Sequence, residues 1–266
     1  MNRTRREPNP VYARLTAHAR PPSLPLTVGI GLAVSVALAG WLIRSLPGSM
    51  YPDEEIDFLI NLVMTVALAA VAVTMVVAVT AAILTAQDTS GEAFTLLRAT
   101  QLTGRRVVRG YVAAALYRAR VLLVAAGALL PMSAAASYEI TTLLAKEGLT
   151  SIQPFWPGLL LNNPTTHALV DGALPTVLFW LGTAGWVVLG AGFGVWMALW
   201  WRRGLPALLS QLALPVLFVG LSIASFQLAL LPGIVIALAE VIPPWLLLAI
   251  VLRLAARGYG RAALSD

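Results

Sequence analysis

The chain has no cysteine among its 266 residues. That absence excludes disulfides, thiolate nucleophiles, zinc ribbons, iron–sulfur clusters and covalent c-type haem together. Histidine is nearly absent: His18 and His167 fall in segments expected on opposite sides of a membrane, so neither a bis-histidine haem nor a multi-histidine metal centre is expected. Charge is scarce as well. Only 11% of residues are charged, against about 25% in an ordinary soluble domain. What replaces charge is apolar: 59% of the chain is hydrophobic and the mean hydropathy is +0.82. A soluble domain with a solvated surface is excluded, and a polytopic membrane protein is expected.

Crossing a hydrocarbon core of about 30 Å takes roughly 20 apolar residues in a helix. Runs of that kind lie at Leu26–Ile43, Phe58–Leu84, Val112–Met132, Pro175–Trp200, Leu205–Leu228 and Ile234–Leu252. The expected fold is therefore all-α with six transmembrane helices, because isolated strands leave backbone groups unsatisfied in lipid. The basic leader before Leu26 is not expected to be a secretory signal, because the apolar run is too long for an h-region.

The net charge of +6 would suit nucleic acid if it were pooled, but its distribution makes it a topology signal. With six spans and both termini on one side, 16 of the 18 basic residues share that side, leaving only Arg44 and Lys146 on the other. The positive-inside rule then puts both termini in the cytoplasm, and no nucleic-acid partner is expected. Residues 1–25 form a basic leader, 26–252 one six-span domain, 133–174 an outer-face segment and 253–266 a cytoplasmic tail. The outer segment is apolar and aromatic, with helical periodicity over Tyr138–Leu149 followed by Gln153-Pro154-Phe155-Trp156-Pro157, which suits an interfacial cap. Seventeen arginines to one lysine point to a GC-rich prokaryote, and so to its plasma membrane.

Between spans two and three the chain reads Ser90-Gly91-Glu92-Ala93-Phe94-Thr95-Leu96-Leu97-Arg98-Ala99-Thr100-Gln101-Leu102-Thr103. Ser90 can cap a short helix with Glu92 in its first turn and with Phe94, Leu97 and Arg98 on one face, an amphipathic helix lying along the membrane. Gly104 breaks it, and Arg105, Arg106 and Arg109 precede the third span.

This connection resembles that of the membrane (permease) subunits of type-2 ABC exporters. Their pattern is roughly E-R-G-T-x-E-L-L-x-x-T-P-L-S, followed by a basic stretch and G-K at the head of the next helix. Leu96-Leu97-Arg98-Ala99-Thr100-Gln101-Leu102-Thr103 is similar to the L-L-x-x-T-P-L-S core, with Gln101 at the proline, and Gly110-Tyr111 stands where the family has G-K. Asn9-Pro10-Val11-Tyr12-Ala13-Arg14-Leu15 is similar to the N-P-x-x-x-R-E opening on an interfacial elbow helix, with Leu15 in place of the acidic residue. The resemblance implies a divergent member whose coupling helix carries Glu92, Phe94, Leu97, Arg98 and Leu102 as partner-binding residues. It also implies an ABC ATPase as a separate polypeptide, since the chain contains no G-x-x-x-x-G-K-[ST], and a second permease subunit, in a homo- or heterodimer, to complete the path.

Within the spans two polar residues stand out. Glu240 lies just before Pro243-Pro244. It is either a proton acceptor or substrate contact at membrane depth, or a residue left in an outer vestibule, or paired with Arg44, where the double proline breaks the helix. Asn61 suits an interhelical hydrogen bond or a place on the path. Arg118 and Arg120 are expected to snorkel to headgroups or to meet lipid phosphate. Gly182, Gly185, Gly190, Gly192 and Gly194 offer a close-packing face, within the chain or between copies. Trp180, Trp200, Trp201 and Trp245 suit interfacial belts.

No catalytic, cofactor or metal site is expected in this chain. Three functions follow from these features: a permease subunit for an amphiphilic or lipid-like substrate, a non-catalytic accessory or assembly subunit on a permease-like fold, and an ion-coupled carrier or intramembrane enzyme built on Glu240.

Overall fold

A computed structural model describes residues 9–17, 25, 28–29, 31–33, 35–37, 40, 52–89, 102–129, 174–201 and 233–264. Among the described residues every regular element is a helix: α1 (Pro10–Thr16), α2 (Pro52–Thr89), α3 (Gly104–Arg118), α4 (Arg120–Ala128), α5 (Leu174–Trp201) and α6 (Gly233–Leu264). Described residues between 28 and 40 are helical as well. Among the described residues three helices are long and apolar enough to cross a membrane, over Leu68–Thr89, Trp180–Trp201 and Val241–Gly260. The chain is thus an all-helical protein with apolar spans, as expected.

The 38 residues of α2 rise about 57 Å at 1.5 Å per residue, well beyond a bilayer core, so the helix outruns its apolar stretch. Span five, Leu205–Leu228, lies outside the described residues, as do the outer segment up to residue 173 and the Glu92–Arg98 stretch.

The helices align through their glycines. A Cβ on Gly194 would collide with the Ala78 carbonyl oxygen of α2, and one on Gly190 would meet the Thr74 carbonyl oxygen at 3.1 Å. Gly192 faces Leu248 of α6, and Gly185 faces Pro244 and Trp245. Contacts thus advance in the same direction along both pairs, 190 to 194 with 74 to 82 and 185 to 192 with 244 to 252. So α2, α5 and α6 run parallel. The four-residue glycine spacing that suggested a close-packing face is used inside the chain, where backbones approach without side chains between them.

Two expectations need correction. The third span was expected as one helix over Val112–Met132, but helix begins eight residues earlier, at Gly104, and α3 and α4 meet at a bend of 60°. Ala119 sits there with φ −84° and ψ 1°. The flanking arginines are engaged separately. Arg118 donates to the Leu15 carbonyl of α1 at 3.0 Å, while the Arg120 guanidinium lies 4.6 Å from the centre of the Tyr117 ring. Helix starts at Gly104, after the extended Thr103, and Arg105, Arg106 and Arg109 lie on its exposed face.

The second correction concerns Pro243-Pro244, which does not end the helix: α6 continues through it from Gly233 to Leu264. Proline removes two backbone donors there, and packing compensates. Pro244 is fully buried, and the Trp245 indole N–H donates to the Leu181 carbonyl of α5 at 3.3 Å. Trp245 is therefore a helix-to-helix clamp as well as a half-exposed aromatic.

Candidate functional site

The C-terminal ends of α2, α5 and α6, the start of α3 and the whole of α1 meet in one buried cluster that includes Val11, Leu84, Val107, Tyr111, Leu199 and Tyr259. At this end the leader is fastened to the bundle.

Seven residues are too few for a stable free helix, so α1 depends on local capping and on its dock. Asn9 is the N-cap: its Oδ1 accepts the Val11 amide at 3.1 Å, and Pro10 occupies the first turn with φ already suited to helix. The same side chain reaches outward, Nδ2 donating to the Arg106 carbonyl of α3 at 2.6 Å. Val11 is wholly buried beneath it. Its room comes from Gly110, where a Cβ would stand 2.7 Å from Val11 Cβ and 2.9 Å from Asn9 Oδ1. Tyr12 meets Tyr117 edge to face with centroids 5.8 Å apart.

Asp88, in the last turn of α2, joins this dock to the spans. Its Oδ2 accepts the Tyr111 hydroxyl at 2.7 Å and pairs with the Arg14 guanidinium. The two contacts differ in weight. The Arg14 side chain is 39% exposed, so its ion pair contributes under about 1 kcal/mol. The Tyr111 hydroxyl is part-buried and donates to a charged acceptor, a bond worth about 1.5–3 kcal/mol. Tyr111 dominates, and Arg14 balances the charge.

The sequence motifs therefore converge. Asn9 and Val11 of the leader lie against Gly110 of α3, and Arg14 reaches Tyr111 through Asp88. Asp88 was missed in the sequence; its signal was being the acidic residue closest to an apolar span on the side dominated by arginine. Of the expected partner-binding residues, Leu102 is described and packs, half-buried, against the same cluster. Glu92, Phe94, Leu97 and Arg98 lie outside the described residues. Asn61 lies on α2 and Glu240 on α6, both with side chains outside the described set, and the helices place neither at this end.

Cavities accompany the bundle among the described residues. At the α3–α4 bend an apolar one of about 260 Å³ lies between Val73, Leu116, Leu123, Trp180 and Val187. At the arginine-rich end a cleft of about 570 Å³ is lined by Thr103, Gly104, Arg105, Arg253, Ala256 and Arg257. The first is apolar, whereas the second is cationic and open.

No family model matches the chain, and no curated protein or solved structure matches it either.

Proposed function

We propose that the chain is the permease subunit of an ABC transporter in a prokaryotic plasma membrane, forming with a second permease subunit the path for an amphiphilic or lipid-like substrate. A separate ATPase drives it through the Ser90–Thr103 connection. The observation carrying this reading is the convergence of the leader Asn9–Arg14 with Gly110-Tyr111 around Asp88. Those are the segments that bear the family resemblance outside the connection itself, and a fastened leader gives that connection a rigid base from which force reaches the spans.

The parallel course of the long helices supports six crossings. Because α5 and α6 run the same way, the chain between Trp201 and Gly233 has to return to the opposite side, and the apolar run Leu205–Leu228 is long enough to do so. Likewise α1 docks where α2 ends, which supports a crossing between 17 and 52. On this reading α1 is the interfacial elbow helix, both termini are cytoplasmic, and Phe94 and Leu97 enter the ATPase.

A second reading, an accessory subunit of a larger membrane complex, draws on Tyr111. Where the family has a lysine, this chain buries a tyrosine against Asp88, which fits a fixed base better than a moving one. Purification of the tagged chain from its host in mild detergent, with mass spectrometry of what stays bound, separates the two. A stoichiometric ATPase with a Walker motif, lost in Phe94→Asp/Leu97→Asp, is the expected result. Stable membrane partners and no ATPase would make the chain an accessory subunit.

A further inference from the structure

We propose that the cleft between the start of α3 and the end of α6 binds the phosphate of an anionic phospholipid, whose acyl chain lies along the exposed face of α6. The inference is independent of the transporter reading.

The cleft gathers three guanidiniums from two helices. Arg253 and Arg257 are one turn apart on α6, and Arg105 faces them from α3. Gly104 makes the approach possible: a Cβ there would stand 2.7 Å from the Ala256 carbonyl oxygen. Among the described residues lining the cleft there is no carboxylate. Like charges at i and i+4 repel, and a third brought against them adds to that, so the arrangement is relieved by an anion with several acceptor oxygens. The opening turn of α3 adds a small positive potential of its own.

The neighbouring surface says which anion. Ile242, Leu246 and Ile250 are 47%, 61% and 52% exposed, and with Arg253 and Arg257 they follow spacings of four, four, three and four, a single helix face. That apolar stripe runs straight into the arginines. From Ile242 to Arg253 it rises about 16 Å, close to half of a hydrocarbon core of about 30 Å. A soluble phosphate or nucleotide makes no use of the stripe, and an acidic protein segment makes none of its depth. An inner-leaflet phospholipid with net negative charge uses both, its headgroup at the arginines and one chain beside Leu246 and Ile250.

Native mass spectrometry of the full chain, delipidated in mild detergent and titrated with dioleoylphosphatidylglycerol, dioleoylphosphatidylcholine or glycerol 3-phosphate, tests this. Phosphatidylglycerol is expected to fill a saturable site and phosphatidylcholine to bind at least about tenfold more weakly, with no retention of glycerol 3-phosphate at equal concentration. Arg253→Gln/Arg257→Gln is expected to weaken phosphatidylglycerol by about 25-fold, near fivefold for each arginine. Arg109→Gln, on the same helix as Arg105 but outside the cleft, leaves binding unchanged. Leu246→Asn/Ile250→Asn weakens the lipid while the chain stays monodisperse. Should the double glutamine variant aggregate, Arg105→Gln alone is expected to give about a fivefold loss. Equal phosphatidylglycerol binding by parent and arginine variants, or equal binding of both lipids, overturns the proposal. So does tight retention of glycerol 3-phosphate, which assigns a free-anion site. Loss of a co-purifying protein with lipid binding intact would assign the cleft to that protein and likewise overturn it.

Discussion

The seam between α2 and α5 and the dock of α1 on α3 both depend on a glycine, and they use it in opposite ways. In the seam, Gly190 and Gly194 remove side chains so that two long backbones touch over several turns, and the gain is dispersion spread along the interface. In the dock, Gly110 clears space for a single valine and a capping asparagine, and specificity comes from a few polar contacts around Asp88. The seam is redundant in contacts but intolerant of bulk. The dock is tolerant of small losses and sensitive to the identity of its polar atoms.

The comparison can be broken at graded cost. Gly194→Val, which drives a side chain into the Ala78 carbonyl, is expected to destabilise by about 3 kcal/mol or more. It should abolish a monodisperse peak in detergent size exclusion; a chain that stays monodisperse with an unshifted melting temperature would show that the seam is not where these helices meet. Gly110→Ala presses on Val11 and Asn9 and is expected to cost about 2 kcal/mol, read as a lower melting temperature and as faster proteolysis of the leader, while the spans stay protected. Tyr111→Phe leaves the Asp88 carboxylate without its hydroxyl donor at a cost of about 1.5 kcal/mol. Arg14→Gln costs under about 1 kcal/mol and less still at high salt. If the last two were equal, the weight assigned to Tyr111 over Arg14 would be wrong. A double variant of Arg14 and Asp88 should fall short of the sum of its parts, since both act on one pair.

The apolar runs at Phe58–Leu84, Pro175–Trp200 and Ile234–Leu252 announced their helices because lipid leaves the backbone no alternative to internal hydrogen bonding. Their ends were less legible. Composition marks where hydrocarbon stops, whereas helices α2 and α6 run on to Thr89 and Leu264 in polar sequence. The double proline looked like a break because the rule about proline is local, and the compensation at Gly185 and Trp245 sits on another helix. The bend at Ala119 carries neither proline nor glycine, so no local cue existed. At the site, Asn9, Pro10 and Gly110 were visible as motif positions. Asp88 was not, because its meaning comes from Arg14, 74 residues away, and from Tyr111.

Every functional proposal above needs the arginine-rich end in the cytoplasm, and the absence of cysteine makes that directly measurable. Single cysteines at Thr16, Arg105 and Arg257 on one side, and at Asp53 and Glu147 on the other, can be labelled in intact cells with a membrane-impermeant maleimide and again after permeabilisation. The account predicts labelling of the cysteines replacing Asp53 and Glu147 in intact cells, and of those replacing Thr16, Arg105 and Arg257 only once the membrane is opened. Labelling of the Arg105 or Arg257 position in intact cells would contradict it, because no cytoplasmic ATPase could then reach this end of the chain.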